Sequence, residues 1–382
     1  MKRILSVIAV LLLLCGCRSP DNGNIENKDS YISGVWLSFS EINTMLISGD
    51  FASKFDEVAE NCKNFGISDM FIHVRAFCDA VYPSDYFPML STAKGYNYDV
   101  FEYMINACHK REIRVHAWIN PYRVRTADSN VSSLSANNPA YIWLNDDTSE
   151  NDNNVCICNG IYLNPASSEV RQLIINGIRE ILTNYAVDGI HFDDYFYPTA
   201  DESFDSADYS EYCSKSKTPL SLDDWRRANV NSLISGTYTA VKFMNKDTVF
   251  SVSPAASIEK NRTQYYADIA VWLESGCVDY IIPQLYFGFE YPDKNYNFDK
   301  LLDEWCELSK DSNAKLLIGL ASYKVGTKQQ PDCDEWGSKD DILSRQVKLC
   351  REKQNVLGHI FFSYTSLFSN DDLNVKSRNN IK

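Results

Sequence analysis

The chain is 382 residues long, with 37 Lys or Arg against 51 Asp or Glu and a formal net charge of −14. That balance excludes nucleic acid as a partner, since phosphate contacts need a basic surface. The one long apolar run, Ile4–Leu14, is too short to span a bilayer comfortably, so the rest reads as exported and soluble.

Lys2 and Arg3 precede that run, which ends in Leu14-Cys15-Gly16-Cys17, a pattern that resembles the bacterial lipobox. Residues 1–16 then form a signal peptide, and Cys17 receives the lipid. Acyl chains tether such a chain to a membrane without spanning it. Arg18 and Ser19 do not look like an inner-membrane retention signal, which favours the outer membrane. Residues 17–30 are polar and read as a tether.

From 31 to 368 the sequence reads as one domain. Short apolar runs predict eight strands: Gly34–Ser38, Met70–Ala76, Arg114–Asn120, Gly189–Tyr195, Val249–Ala255, Asp279–Phe287, Leu316–Tyr323 and His359–Thr365. Helical periods fall between them at Phe51–Phe65, Val100–Arg111, Val170–Tyr185, Leu222–Met244, Tyr265–Glu274, Leu301–Lys310 and Ile342–Gln354. Eight such alternations predict an α/β fold, a (β/α)8 TIM barrel. A doubly wound sheet is the alternative, but no Gly-rich phosphate turn follows the first strand. Long insertions, Arg125–Asn159 and Thr199–Pro219, follow the third and fourth strands, on the face where barrel sites form. Residues 369–382 read as a polar tail. Of the cysteines beyond Cys17, Cys62, Cys108, Cys306 and Cys350 sit in helical patterns as buried thiols, and the spacings give no disulfide framework or zinc knuckle.

Alternation along the strands sorts their side chains into two sets. Ile72 and Val74 oppose His73 and Arg75; Val115, Ala117 and Ile119 oppose His116, Trp118 and Asn120. Ile190 and Phe192 oppose His191, Asp193 and Tyr195; Phe250 and Val252 oppose Ser251 and Ser253. Gln284 and Tyr286 share the polar parity of the sixth strand. A closed barrel has no edge to face solvent, so these polar sets predict a pocket inside it. Trp118, Tyr195 and Tyr286 offer ring faces to pyranose C–H groups. Asn120, Gln284, His116 and His191 can bond hydroxyls.

Asp193 is the leading catalytic carboxylate, and Asp194 serves as its partner if the chain turns there. Asp79, Glu41 and Glu290 follow other strands and are rival second acids. A retaining route would use Asp193 as nucleophile with a second carboxyl as acid/base. Arg75, Arg123 and Arg125 stand at strand ends, where they can meet an anionic substrate, although Arg125 is equally well placed for a local ion pair.

Taken in order, several segments resemble glycosyl-hydrolase-like family 10, a group of bacterial barrel proteins that are often lipoproteins. They are Gly34-Val-Trp-Leu37, Val74-Arg-Ala-Phe-Cys-Asp-Ala-Val-Tyr-Pro-Ser84 and His116-Ala-Trp-Ile-Asn-Pro-Tyr-Arg123. Tyr162-Leu-Asn-Pro165, Asp188-Gly-Ile-His-Phe-Asp-Asp-Tyr195 and Pro283-Gln-Leu-Tyr286 continue the series. Ser251-Val-Ser-Pro254 departs from the family pattern, lacking a following Phe-Gly. The resemblance implies a glycosidase acting on bacterial cell-wall glycan, especially peptidoglycan stripped of its stem peptides. Substrate residues are then expected among Arg75, Asp79, His116, Trp118, Asn120, Arg123, His191, Tyr195, Gln284 and Tyr286, with no metal or cofactor.

The fourth strand also loosely resembles the chitinase pattern of alternating acids, but Tyr195 stands where the proton-donating Glu would fall. Three other readings compete. They are a hydrolase of dietary or host polysaccharide, a non-catalytic glycan-binding lipoprotein, and a metal-dependent deacetylase. The last lacks paired histidines at helical spacing among His73, His109, His116, His191 and His359.

Overall fold

A computed structural model of the chain describes residues 31–328 and 333–381. The expected signal peptide, the expected lipid site at Cys17 and the expected tether lie outside these residues. Eleven strands occur among those described: β1 (Ile32–Leu37), β2 (Asp69–Arg75), β3 (Arg114–Ile119), β4 (Arg123–Thr126), β5 (Val155–Ile157), β6 (Gly160–Leu163), β7 (Gly189–Phe192), β8 (Val249–Val252), β9 (Tyr280–Ile281), β10 (Lys315–Leu320) and β11 (Val356–Phe362). Eight close into a barrel in the order β1-β11-β10-β9-β8-β7-β3-β2, with every pair parallel. Helices alternate with these strands, and the fold is a (β/α)8 TIM barrel.

Local chemistry sets the element ends. Asp99 caps the helix Val100–His109 by accepting from the backbone N–H groups of Phe101 and Glu102 at 2.9 and 3.1 Å. Gly66, at φ +92°, ends the helix Phe51–Phe65 in the left-handed conformation that glycine adopts without strain. Two strands stop earlier than their sequence pattern. β9 covers only Tyr280–Ile281, because Pro283 has no N–H for the ladder, and pairing resumes as isolated bridges at Gln284. β7 stops at Phe192, and the chain bends at Asp194.

Both long insertions are folded. Around the first, β4 and β6 flank the insertion and β5 lies within it, forming a three-stranded antiparallel sheet with the short helix Pro139–Asn145 between β4 and β5. The second carries the helix Ser206–Lys215 and is pinned by a buried pair. Arg226 Nε meets both carboxylate oxygens of Asp205 at 3.1 Å, while Nη1 donates to Tyr266 Oη at 2.9 Å. Residues 372–381, read as a tail, form a helix against the domain. Asn374 and Arg378 donate to the carbonyls of Ser366, Leu367 and Ser369. That helix docks through hydrogen bonds, which explains its weak apolar signal.

The barrel interior is filled in layers. Ile32, Trp36, Phe71, Trp118, Tyr280, Ile282, Leu317 and Ile360 form one apolar cluster inside it. Gly189 leaves room for the His116 ring, since a Cβ there would lie 2.2 Å from Nδ1. Above these layers, at the carboxyl ends of the strands, the interior opens.

Candidate active site

The opening is a cavity of about 360 Å³. Asp193, Asp194 and Tyr195 from the end of β7 line it, with Trp118 and Arg123 from β3 and β4, His73 from β2, Ser253 after β8, and Gln284 and Tyr286 after β9. Trp36, Phe77, Tyr323 and Phe362 complete an aromatic wall. Side chains of consecutive residues in an extended strand diverge. Here both carboxyls line the cavity because the strand has ended and the chain bends back, with the Phe196 N–H donating to the Asp194 carbonyl at 3.0 Å.

Asp193 is buried, and its oxygens are fixed from two sides. Trp118 Nε1 donates to Oδ2 at 3.2 Å, and the Tyr195 backbone N–H donates to Oδ1 at 3.3 Å. Burial, then the neighbouring Asp194 charge, push its pKa up to about 8, against the opposing pull of Arg123 and the two donors. Asp194 is half-buried and also shifted upward, mainly by burial, while Gln284 and Arg123 favour its charged form. The pair therefore titrates as a unit that keeps a proton into the neutral range. Arg123 supplies the positive charge beside it. Its guanidinium lies 3.6 Å over the Tyr195 ring, and its Nε has no partner.

Seven residues expected at the site meet here: Trp118, Arg123, Asp193, Asp194, Tyr195, Gln284 and Tyr286. The others lie elsewhere. The β2–β3 pairing slips by one residue between His73 and Arg75, and this bulge turns Arg75 outward. Its guanidinium packs 4.1 Å over Phe87, close against Gly177 of the helix Ser168–Asn184, so the inward placement expected for Arg75 is corrected.

His116 does face inward, but it lies deeper, stacked on Phe71 with Nε2 2.8 Å from Asp69 Oδ1. His191 is likewise in the filled interior. It accepts from Trp36 Nε1 at 3.1 Å, so its N–H is on Nδ1 and faces Ser251 Oγ at 2.8 Å. Asn120 sits behind Trp118, accepting from the indole and donating to the Ala76 carbonyl. Parity told inside from outside, but not depth.

Asp79 and Arg125 line a neighbouring cavity of about 640 Å³, which shares Phe77 with the first. There Asp79 is raised to about 6 by burial, and Arg125 pairs with Asp128 at 3.0 Å. Neither rival acid after β1 or β9 faces the central cavity. Glu41 accepts from Ser38 N–H and Thr365 N–H, and Glu290 pairs with Lys339 at 2.7 Å. Missing from the expected site were Trp36, His73, Ser253, Phe77, Tyr323 and Phe362. Alternation had already marked His73 and Ser253 as inward-facing, and Phe362 shares the inward parity of Ile360 in β11, whereas Phe77 and Tyr323 lie beyond the regular strands.

A model of the family "Glycosyl hydrolase-like 10" matches residues 31–336. The glycosyl hydrolase YngK of Bacillus subtilis is 30% identical over 378 residues, covering 90% of this chain and 70% of that protein. The glycosyl hydrolase DigH of Escherichia coli K12 is 29% identical over 416 residues, covering 94% and 92%. Among solved structures, the PgaB (BpsB) glycoside hydrolase domain of Bordetella bronchiseptica superposes with a TM-score of 0.63 at 14% identity, covering 92% of this chain and 99% of that domain.

Proposed function

Because this chain belongs to the glycosyl hydrolase-like 10 family, we propose that it is a glycosidase of bacterial cell-wall glycan, acting on peptidoglycan strands stripped of their stem peptides. The observation that carries this reading is the Asp193–Asp194 pair, its proton held to about 8, at the floor of an aromatic-walled cavity.

The burial of Asp193 makes it the proton donor rather than the nucleophile. A carboxyl that stays protonated near neutrality is suited to general acid work. Neighbouring carboxyls on one bend approach a bound sugar from one side, which does not suit a nucleophile and acid flanking the bond. They suit a substrate whose own N-acetyl group attacks. Asp194 orients the acetamido N–H and balances the growing charge, and the acetamide oxygen bonds to C1. As the C1–O bond breaks, Asp193 delivers its proton to the leaving oxygen. Water then adds at C1 as its bond to the acetamide oxygen breaks, restoring the N-acetyl group, and a proton of that water returns to Asp193. Both sugars of peptidoglycan carry an N-acetyl group, and its muramic acid carries a carboxylate that Arg123 can meet.

The test is reducing-end release from peptide-free peptidoglycan. The wild type should release ends, and Asp193→Asn should lose at least about 10²-fold, the low end for general acid catalysis. Equal release by both removes Asp193 from its role. Binding without release by the wild type supports a glycan-binding protein instead, and turnover confined to plant or host polysaccharide supports a different substrate.

A further inference from the structure

Two residues lining the cavity carry buried polar atoms with no partner in the protein: Nε2 of His73 and Oγ of Ser253. The residues are 5% and 1% exposed. A buried polar atom left unpaired is destabilising, so two on one cavity call for a ligand that pairs them.

Both groups are rigidly placed. The His73 ring lies flat on Trp118, centroids 3.6 Å apart and planes 7° from parallel. The ring also interacts with Asn120, which favours its protonated form. Asn120 Oδ1 is the acceptor available there, since it already takes the indole N–H, and the amide nitrogen donates to the Ala76 carbonyl. The ring is held neutral by burial and by the Arg123 charge. Nε2 itself is left without a partner. Ser253 is fixed by its backbone, whose N–H donates to the Phe192 carbonyl at 2.8 Å and whose carbonyl accepts from Gln284 Nε2 at 3.0 Å.

We infer that His73 and Ser253 are positioning residues that determine which sugar the cavity accepts. His73 Nε2 accepts a hydrogen bond from a hydroxyl or acetamido N–H of the pyranose bound beside Trp118, and Ser253 Oγ pairs with a second polar group on the same ring. The ligand class is a hexopyranose with an unsubstituted donor on the edge facing this pair. A sugar blocked at that edge leaves both atoms unpaired and is rejected. The inference rests on the glycan reading above.

Binding of N-acetylglucosamine oligomers and of peptide-free peptidoglycan fragments is measured by calorimetry with Asp193→Asn, which holds substrate intact. Adding His73→Phe keeps the ring stack but removes the acceptor, and should weaken binding about tenfold. His73→Gln returns an acceptor near the same point and should recover most of that loss. Ser253→Ala should weaken binding about threefold. With Asp193 present, His73→Phe should raise KM more than it lowers kcat, and melting should not fall.

Binding by His73→Phe as tight as its parent overturns the inference and leaves the glycan reading standing. Equal losses in the Phe and Gln variants with a lower melting temperature make the residue structural and overturn it too. If the Asp193→Asn parent binds no glycan at all, both readings fall.

Discussion

Asp193 shows how one residue's surroundings decide its chemistry. An unfolded aspartate titrates near 3.9, whereas this one holds its proton to about 8. Between those values the folded chain binds more protons than the unfolded one, so stability falls as pH rises across the window and is complete below it. Asp193→Asn should therefore melt with the wild type near pH 4 and several degrees above it at pH 8.5, as scanning calorimetry at the two pH values would record. Turnover by the wild type should decline above about pH 8 as the donor ionises. The Asp194 charge is the second cause of the shift. Asp194→Asn should thus move the alkaline limb of whatever activity remains toward acid by about one unit. A limb that stays in place would show that burial alone sets it.

Among elements, the strands hold both what the sequence discloses and what it conceals. Period-two alternation assigns inside and outside, and Trp118, Asp193 and Gln284 arrive where it points. Depth is different: His116 and Trp118 share a parity, yet one is stacked in the filled interior and the other lines the cavity. A bulge is hidden as well, because Val74 and Arg75 read as ordinary strand until a partner fixes the register. The structural role of Arg75 depends on Gly177, where a Cβ would meet Phe87 at 2.5 Å and the Arg75 guanidinium at 2.7 Å. Replacing a helical Gly by Ala ordinarily stabilises by about 1 kcal/mol. Gly177→Ala should instead destabilise by about 1–3 kcal/mol in equilibrium urea unfolding, as overpacked positions do. A gain in stability would mean that Phe87 and Arg75 can move aside.

At the scale of the molecule, parallel strands fix which end of the barrel does what. Tyr31 enters at the amino-terminal end of β1, and the cavity lies at the opposite, carboxyl end. The chain is proposed to be anchored by lipid on Cys17, a residue outside those the structure describes. The 14 residues from Cys17 to Ser30 reach at most about 50 Å even when fully extended. A barrel anchored in this way is held within that distance of its membrane through the end of β1 opposite the cavity. Cys17→Ser should abolish incorporation of labelled fatty acid and move the protein from the membrane pellet to the soluble fraction. Release of reducing ends from soluble, peptide-free fragments should stay within about twofold of wild type, since the substitution lies outside the fold. A Cys17→Ser protein that still sediments with membranes, or a wild type that takes up no label, would overturn the anchor while leaving the proposed chemistry at Asp193 untouched.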